Sequence, residues 1–158
     1  MPSVVLGIDP GLERIGYGVV RREGSRLSVV EFGLIETPRI ELADRLAMVS
    51  REVGRLLERT KPDAVSTEKL LFSVNRKTAM DVAKSLGAIL AEIGRSGVPW
   101  TEYAPNEVKL SVVGNGAAEK RQVQFMVCRL LGLAEAPKPD DVADALAIAA
   151  CHALRLRG

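Results

Sequence analysis

Aromatic residues are scarce in this chain of 158: one tryptophan, two tyrosines and three phenylalanines, 4% in all. With 47% of residues apolar, the core must be mostly aliphatic. The length allows one domain, spanning 1–158, with a sizeable interior. No apolar run approaches the roughly 20 residues of a membrane span, and the opening residues lack the charged start and cleavage site of a signal peptide. The two cysteines, Cys128 and Cys151, show no CxxC spacing and sit in apolar helical patterns. That favours buried thiols over a disulfide or a thiolate metal site and fits a reducing cytoplasm. The sole histidine, His152, follows Cys151 near the chain end and reads as a helix C-terminal residue rather than a base. There is no Walker A motif, and GLERIG is not GxGxxG and does not open a helix. The net charge of +2 is too small to prove a nucleic-acid partner.

What is present is a patterned chain without repeats or low-complexity linkers. Residues 3–9, 16–22 and 26–36 read as three strands, with Glu23-Gly24-Ser25 as a hairpin turn. Leu42, Leu46, Val49, Val53, Leu56 and Leu57 recur at helical spacing, predicting a helix over 40–60 that ends at Pro62. Residues 64–68 form a short strand. Asn75 can cap a helix to Ser96, one stripe of which is small: Ala83, Gly87, Ala91 and Gly94. That stripe suits either packing on the sheet or a helix–helix contact between subunits. A strand over 100–103, a short helix from Pro105 to Val113, a helix over 118–131 closed by Gly132 and a last helix over 141–154 complete the order β-β-β-α-β-α-β-α-α-α. The expected fold is α/β: a mixed five-stranded sheet, an antiparallel meander plus two parallel strands, with helices on both faces.

Asp9 ends the first strand, in LGIDPGLERIGYGVV, and Glu68 ends the fourth. Asp9 suits a turn, a metal ion or a nucleotide phosphate. If the two strands are parallel neighbours, both carboxylates share one sheet edge, where sites gather in such folds. Asp141 and Asp144 stand three apart on the last helix and face the same way. Singly, each has an ordinary explanation: a turn former, a surface strand end, an N-cap at Asp140 or Asp141. Together they would repel, and Asp144 sits among small apolar residues where an unpaired charge is costly. Two divalent cations remove that cost, and oxygen-only ligands suit Mg²⁺ or Mn²⁺ rather than Zn²⁺. Such a pair can clamp the attacking and leaving oxygens of a phosphodiester displacement.

Basic residues recur nearby: Arg14, Lys69, Arg76, Lys77, Lys109, Lys120 and Arg121. Several start helices, against the dipole preference, a conflict that phosphate groups would offset. Phe72 suits stacking on an unpaired base, a core contact or a subunit contact.

LGIDPGLERIGYGVV, STEKLLF with Glu68, VKLSVVGNGAAEKRQV and DDVADALAIAACH, in that order, resemble the RuvC family of bacterial crossover junction endodeoxyribonucleases over roughly residues 4–154. The resemblance implies a ribonuclease H-like fold and a homodimer. It implies resolution of Holliday junctions by symmetric nicking of two opposing strands with Mg²⁺ or Mn²⁺, leaving 5′-phosphate and 3′-hydroxyl ends, in partnership with the RuvA-RuvB branch-migration complex. By position, Asp9, Glu68, Asp141 and Asp144 match the metal-binding acids, Lys109 and Lys120 the basic residues near the scissile DNA, and helix 75–96 the dimer helix. The family commonly places a junction-contacting aromatic three residues after the glutamate. Here that position is Leu71, and the phenylalanine, Phe72, comes one later. Two other readings compete. A nucleotide-binding domain of the actin or sugar-kinase type shares the first hairpin but needs a second lobe. A non-catalytic binding module would have no use for all four acids.

Overall fold

The computed structural model describes residues 2–70 and 76–157, with side chains omitted for Arg76 and Lys77. Leu71, Phe72 and the cap at Asn75 lie outside the described residues. Three strands, β1 (Ser3–Asp9), β2 (Arg14–Glu23) and β3 (Arg26–Glu36), form the antiparallel meander. Helix α1 (Leu42–Thr60) leads to β4 (Ala64–Glu68), α2 (Arg76–Ser96) to β5 (Trp100–Tyr103), and α3 (Pro105–Val113), α4 (Lys120–Leu131) and α5 (Asp140–Arg155) follow. The strand order is β3-β2-β1-β4-β5, with β4 parallel to both β1 and β5. Sheet and helices match the expectation. Strand β2 begins two residues early, because Arg14 already pairs with Glu36 across the hairpin. Helix α1 begins late, because Thr37 is held to the β1–β2 turn. Its amide donates to the Glu13 carbonyl at 3.0 Å and its hydroxyl to the Leu12 carbonyl at 2.6 Å. No helix of the described residues is long and apolar enough to cross a membrane.

Alternation along the strands builds two aliphatic cores. Leu6, Ile8, Val19 and Val65 pack with Val49, Val53 and Leu56 of α1 and Ile89 and Ile93 of α2 on one face. On the other, Val5 and Val20 pack with Val108 and Val112 of α3, Val127 and Leu131 of α4, and Leu146 and Ile148 of α5. Burying a Leu or Ile side chain fully contributes roughly 1.5–3 kcal/mol, so α5, with both and a run of buried alanines, is firmly anchored.

Three glycines bring α5 closer than side chains would allow. Gly7 on β1 pairs with Gly18 on β2, and Asp9 with Gly16, so all four residues point to the same face. A Cβ at Gly7 would strike the Ala145 carbonyl and the Ala149 amide, one at Gly16 the Asp141 carbonyl, and one at Gly18 the Leu146 side chain. The helix backbone therefore lies directly on the sheet, facing glycine with alanine. Ser66 of β4 donates to the Ile148 carbonyl at 3.1 Å and fixes the same helix from the neighbouring strand. Gly7→Ala is expected to lower stability by ~1–3 kcal/mol or more through overpacking, measured as a lower urea midpoint. An unchanged midpoint would show that α5 has room to move.

The small stripe of α2 does not meet the sheet. Gly87, Ala91 and Gly94 are exposed, and nothing lies within 4 Å of a Cβ built at Gly87 or Gly94.

Candidate active site

Parallel pairing of β1 with β4 sets Ile8 beside Thr67, so Asp9 and Glu68 emerge side by side at the carboxyl edge of the sheet. The first turn of α5, pressed onto Gly16, carries Asp141 and Asp144 over the same edge. One depression is lined by Asp9, Pro10, Glu68, Lys69 and Asp144. A second, sharing Glu68 and Asp144, adds Lys109, Lys120, Val108, Val123 and Ile148. The structure thus brings together Asp9, Glu68, Asp144, Lys69, Lys109 and Lys120. Asp141 joins them at the rim, where its carboxylate meets the Arg14 guanidinium at 3.6 Å. Arg14 is the first residue of β2, not part of the turn.

Burial, together with Asp144, Glu68 and Asp141, pushes the Asp9 carboxyl up to about 8. Burial and Asp144 also raise Glu68, against the pull of Lys109 and Lys120. Asp144 is raised by burial, against Lys120. Burial opposes the charge on Lys120, but Asp144 and Asp140 outweigh it and lift the ammonium above its ordinary range. Its Nζ lies 3.2 Å from Asp140 and 3.5 Å from Asp144. Among the described residues no three His, Cys, Asp or Glu side chains close on one point as a ligand cage. Instead Arg14 and Lys120 lie on the two α5 carboxylates.

Several features were not read from the sequence. Asp140 is no N-cap, nor is Asp141: Pro139 occupies that position without a side-chain bond. Asp140 instead pairs with Lys120 and accepts from the Gln124 amide at 3.4 Å. His152 stands in the last turn of α5, as expected, and is also held. Its Nδ1 shares a 2.6 Å hydrogen bond with the Tyr103 hydroxyl, and burial holds its pKa below the ordinary imidazole range. Arg155 stacks over the Tyr103 ring, 4.9 Å from its centroid, and donates to Ser111 Oγ at 2.8 Å. These contacts tie α3, which carries Lys109, to β5 and α5. Arg121 turns away from the cleft and lines a groove with Gln124 and Phe125. Phe72 lies outside the described residues, as do the side chains of Arg76 and Lys77. The sequence signal for the glycine contact was available: Gly16 and Gly18 alternate on one strand, and the helix they face is rich in alanine.

The sheet order and the acidic cleft at adjacent strand ends define a ribonuclease H-like α/β protein. The family model described as crossover junction endodeoxyribonuclease RuvC matches residues 5–152, and the chain belongs to that family of endonucleases. A crossover junction endodeoxyribonuclease RuvC from Syntrophomonas wolfei is 50% identical over 149 residues, covering 94% of this chain and 87% of the relative. The Thermus thermophilus RuvC structure superposes with a TM-score of 0.90 at 39% identity, covering 96% of this chain and 93% of that one. The same Thermus protein in complex with a Holliday junction substrate gives 0.91 at 38%, with the same coverage.

The electrostatics set a stability trend. In the fold the Asp9 carboxyl keeps its proton up to about pH 8, whereas its ordinary value is 3.8. Between those values the folded state binds the extra proton, so stability falls as pH rises from about 4 to about 8. In EDTA the melting temperature should fall across that window, and Asp9→Asn should flatten the decline. Glu68 and Asp144, raised in the same direction, keep part of the slope. A wild-type melting temperature independent of pH in EDTA would contradict the shared cleft.

Proposed function

We propose that this protein resolves Holliday junctions as a homodimer, nicking two opposing strands by metal-assisted phosphodiester hydrolysis. The reading is supported by one observation above all. Asp9 and Glu68 stand at adjacent parallel strand ends with Asp141 and Asp144 laid over them, beside Lys109 and Lys120. The donor set is all oxygen, which fits Mg²⁺ or Mn²⁺. Burial first, and then the neighbouring Asp144, Glu68 and Asp141, raise the Asp9 carboxyl, a cost that bound cations would offset. Asp9, Glu68, Asp141 and Asp144 are the residues that would hold two such ions. Bound there, the pair supplies an activated water and neutralises charge on the departing oxygen.

The chain's own cations have a separate task. Lys120 rests on Asp140 and Asp144, and Arg14 on Asp141. With ions held by Asp141 and Asp144, Arg14 would lose its carboxylate partner and Lys120 would keep only Asp140. A DNA phosphate in the cleft gives them, with Lys109 and Lys69, a new anion to bind. Arg121, outside the cleft, together with Arg76, Lys77 and Phe72, completes the proposed DNA-binding set. Free thiols at Cys128 and Cys151 fit a cytoplasmic setting, and the RuvA-RuvB complex is the proposed source of branch-migrated junctions.

The test compares a synthetic four-way junction with a matched linear duplex, each with Mg²⁺, Mn²⁺ or EDTA. Metal-dependent paired nicks in the junction alone are expected. Equal cutting of both DNAs would reject resolvase activity. Asp9→Asn should abolish nicking yet keep junction binding, because it removes ligand charge and not a DNA contact. Binding lost in step with activity would assign Asp9 to the DNA interface instead.

The homodimer is supported by the bare stripe of α2. An isologous interface repeats one patch on both subunits and gives two identical sites with two-fold symmetry, matching two opposing strands. Small residues let two such helices approach closely. Gly87→Leu has free space in the monomer and should leave the circular dichroism spectrum unchanged. In sedimentation it should shift dimer to monomer, and it should abolish paired nicking. A dimer that persists would place the subunit interface elsewhere.

A further inference from the structure

The outer face of α4 is not used by the cleft. Arg121, Phe125 and Arg129 follow one another at every fourth position and all are exposed. Four-residue spacing sets them in line along about 12 Å of helix. Phe125 is 62% exposed, although a single turn inward Met126 and Val127 join the core. The Arg129 guanidinium stands over the ring, 5.9 Å from its centroid, which orients the ring while leaving it open. Phe125 lines a groove with Arg121, Gln122, Gln124 and, at its margins, Glu119 and Glu135.

This line is continuous with the cleft. Lys120, one residue before Arg121, touches Asp144, and Gln124, one before Phe125, touches Asp140. Lys120 and Gln124 thus face the cleft, and a strand leaving it past Gln124 crosses onto the adjoining face of α4, where Arg121 and Phe125 stand. The groove lining carries one guanidinium, Arg121, against the carboxylates of Glu119 and Glu135, with Arg129 over the Phe125 ring, so charge alone gives it little hold on DNA. An open aromatic face between two guanidiniums instead suits the flat face of a base.

We infer that this face of α4 receives an unstacked base of the substrate strand, with Phe125 as the stacking surface and Arg121 and Arg129 beside the adjoining phosphates. The inference rests on the junction-cleaving function proposed above. Base–aromatic stacking predicts that Phe125→Leu weakens junction binding by roughly 5- to 100-fold. The loss should be the same at low and high salt. Phe125→Trp should keep wild-type affinity, and Arg129→Ala should reduce the salt slope by about one.

The experiment measures equilibrium binding of the full-length chain to a fluorescent four-way junction in EDTA. Alongside it, a photo-crosslinking benzophenone analogue of phenylalanine is placed at position 125 and irradiated on the same junction. Expected are weaker binding for Phe125→Leu, retention for Phe125→Trp and a covalent adduct on the DNA. Wild-type affinity in Phe125→Leu, or adducts on protein alone, would overturn the inference. A wild-type protein that binds and nicks the junction while Phe125→Leu binds equally well fells only this inference. A wild-type protein that binds no junction fells the proposed function with it.

Discussion

The contact between the α5 backbone and the bare backbone of β1 and β2 is the constraint on which the rest of this structure depends. Gly7, Gly16 and Gly18 present no Cβ: Gly7 and Gly16 meet the backbone of α5 at Ala145, Ala149 and Asp141, and Gly18 meets the Leu146 side chain. Two consequences follow. The helix axis is fixed relative to the strand ends, with no layer of rotamers to absorb displacement. Its first turn, at Asp141, is held against Gly16, whose pairing partner is Asp9. The distance between the strand carboxylates and the helix carboxylates is therefore set by backbone packing.

That packing enforces an electrostatic conflict. Left alone, four carboxyl groups at one sheet edge would spread apart or take up protons, and burial together with its acidic neighbours drives the Asp9 pKa to about 8. The fold tolerates this because the same helix is anchored by Leu146, Ile148 and a run of buried alanines. Hydrophobic burial on one side of α5 holds mutually repelling groups on the other. Lys120 and Arg14 relieve part of the conflict from exposed positions, where ion pairs contribute about 0–1 kcal/mol. Such pairs are weak enough to exchange for a stronger anion.

How far the sequence exposed this arrangement depends on the type of signal. Elements with strong periodicity were legible: β1, β4 and α1 through α5 fall within a few residues of where apolar spacing, prolines and glycines put them. Asp9 and Glu68 were legible as strand ends, and parallel pairing of β1 with β4 makes them neighbours. What spacing along one chain does not carry is facing across elements. Asp140 read as a cap because Asp favours helix starts, yet Lys120, twenty residues earlier, captures it. Arg121 read as a neighbour of the cleft because it adjoins Lys120, yet one step along a helix turns a side chain by about 100°. His152 read correctly as a helix-end residue, but its bond to Tyr103, 49 positions away, was not legible. The α2 stripe was ambiguous for the same reason. Smallness is required equally by a sheet beneath and by a subunit alongside, and only the exposure of Gly87, Ala91 and Gly94 separates the two.

The β4–α2 connection links the cleft to that exposed stripe. Glu68 ends β4 and α2 begins at Arg76, a tether of eight peptide steps and at most about 29 Å. The carboxylate and the proposed dimer helix thus flank one short segment, and α2 is separately packed onto α1 through Ile89 and Ile93. If two subunits pair through α2 as proposed, the packing of α2 on α1 and of α5 on the sheet would fix the spacing of the two clefts. Selectivity for branched DNA would then arise from whether two opposing strands match that spacing, before any base is read.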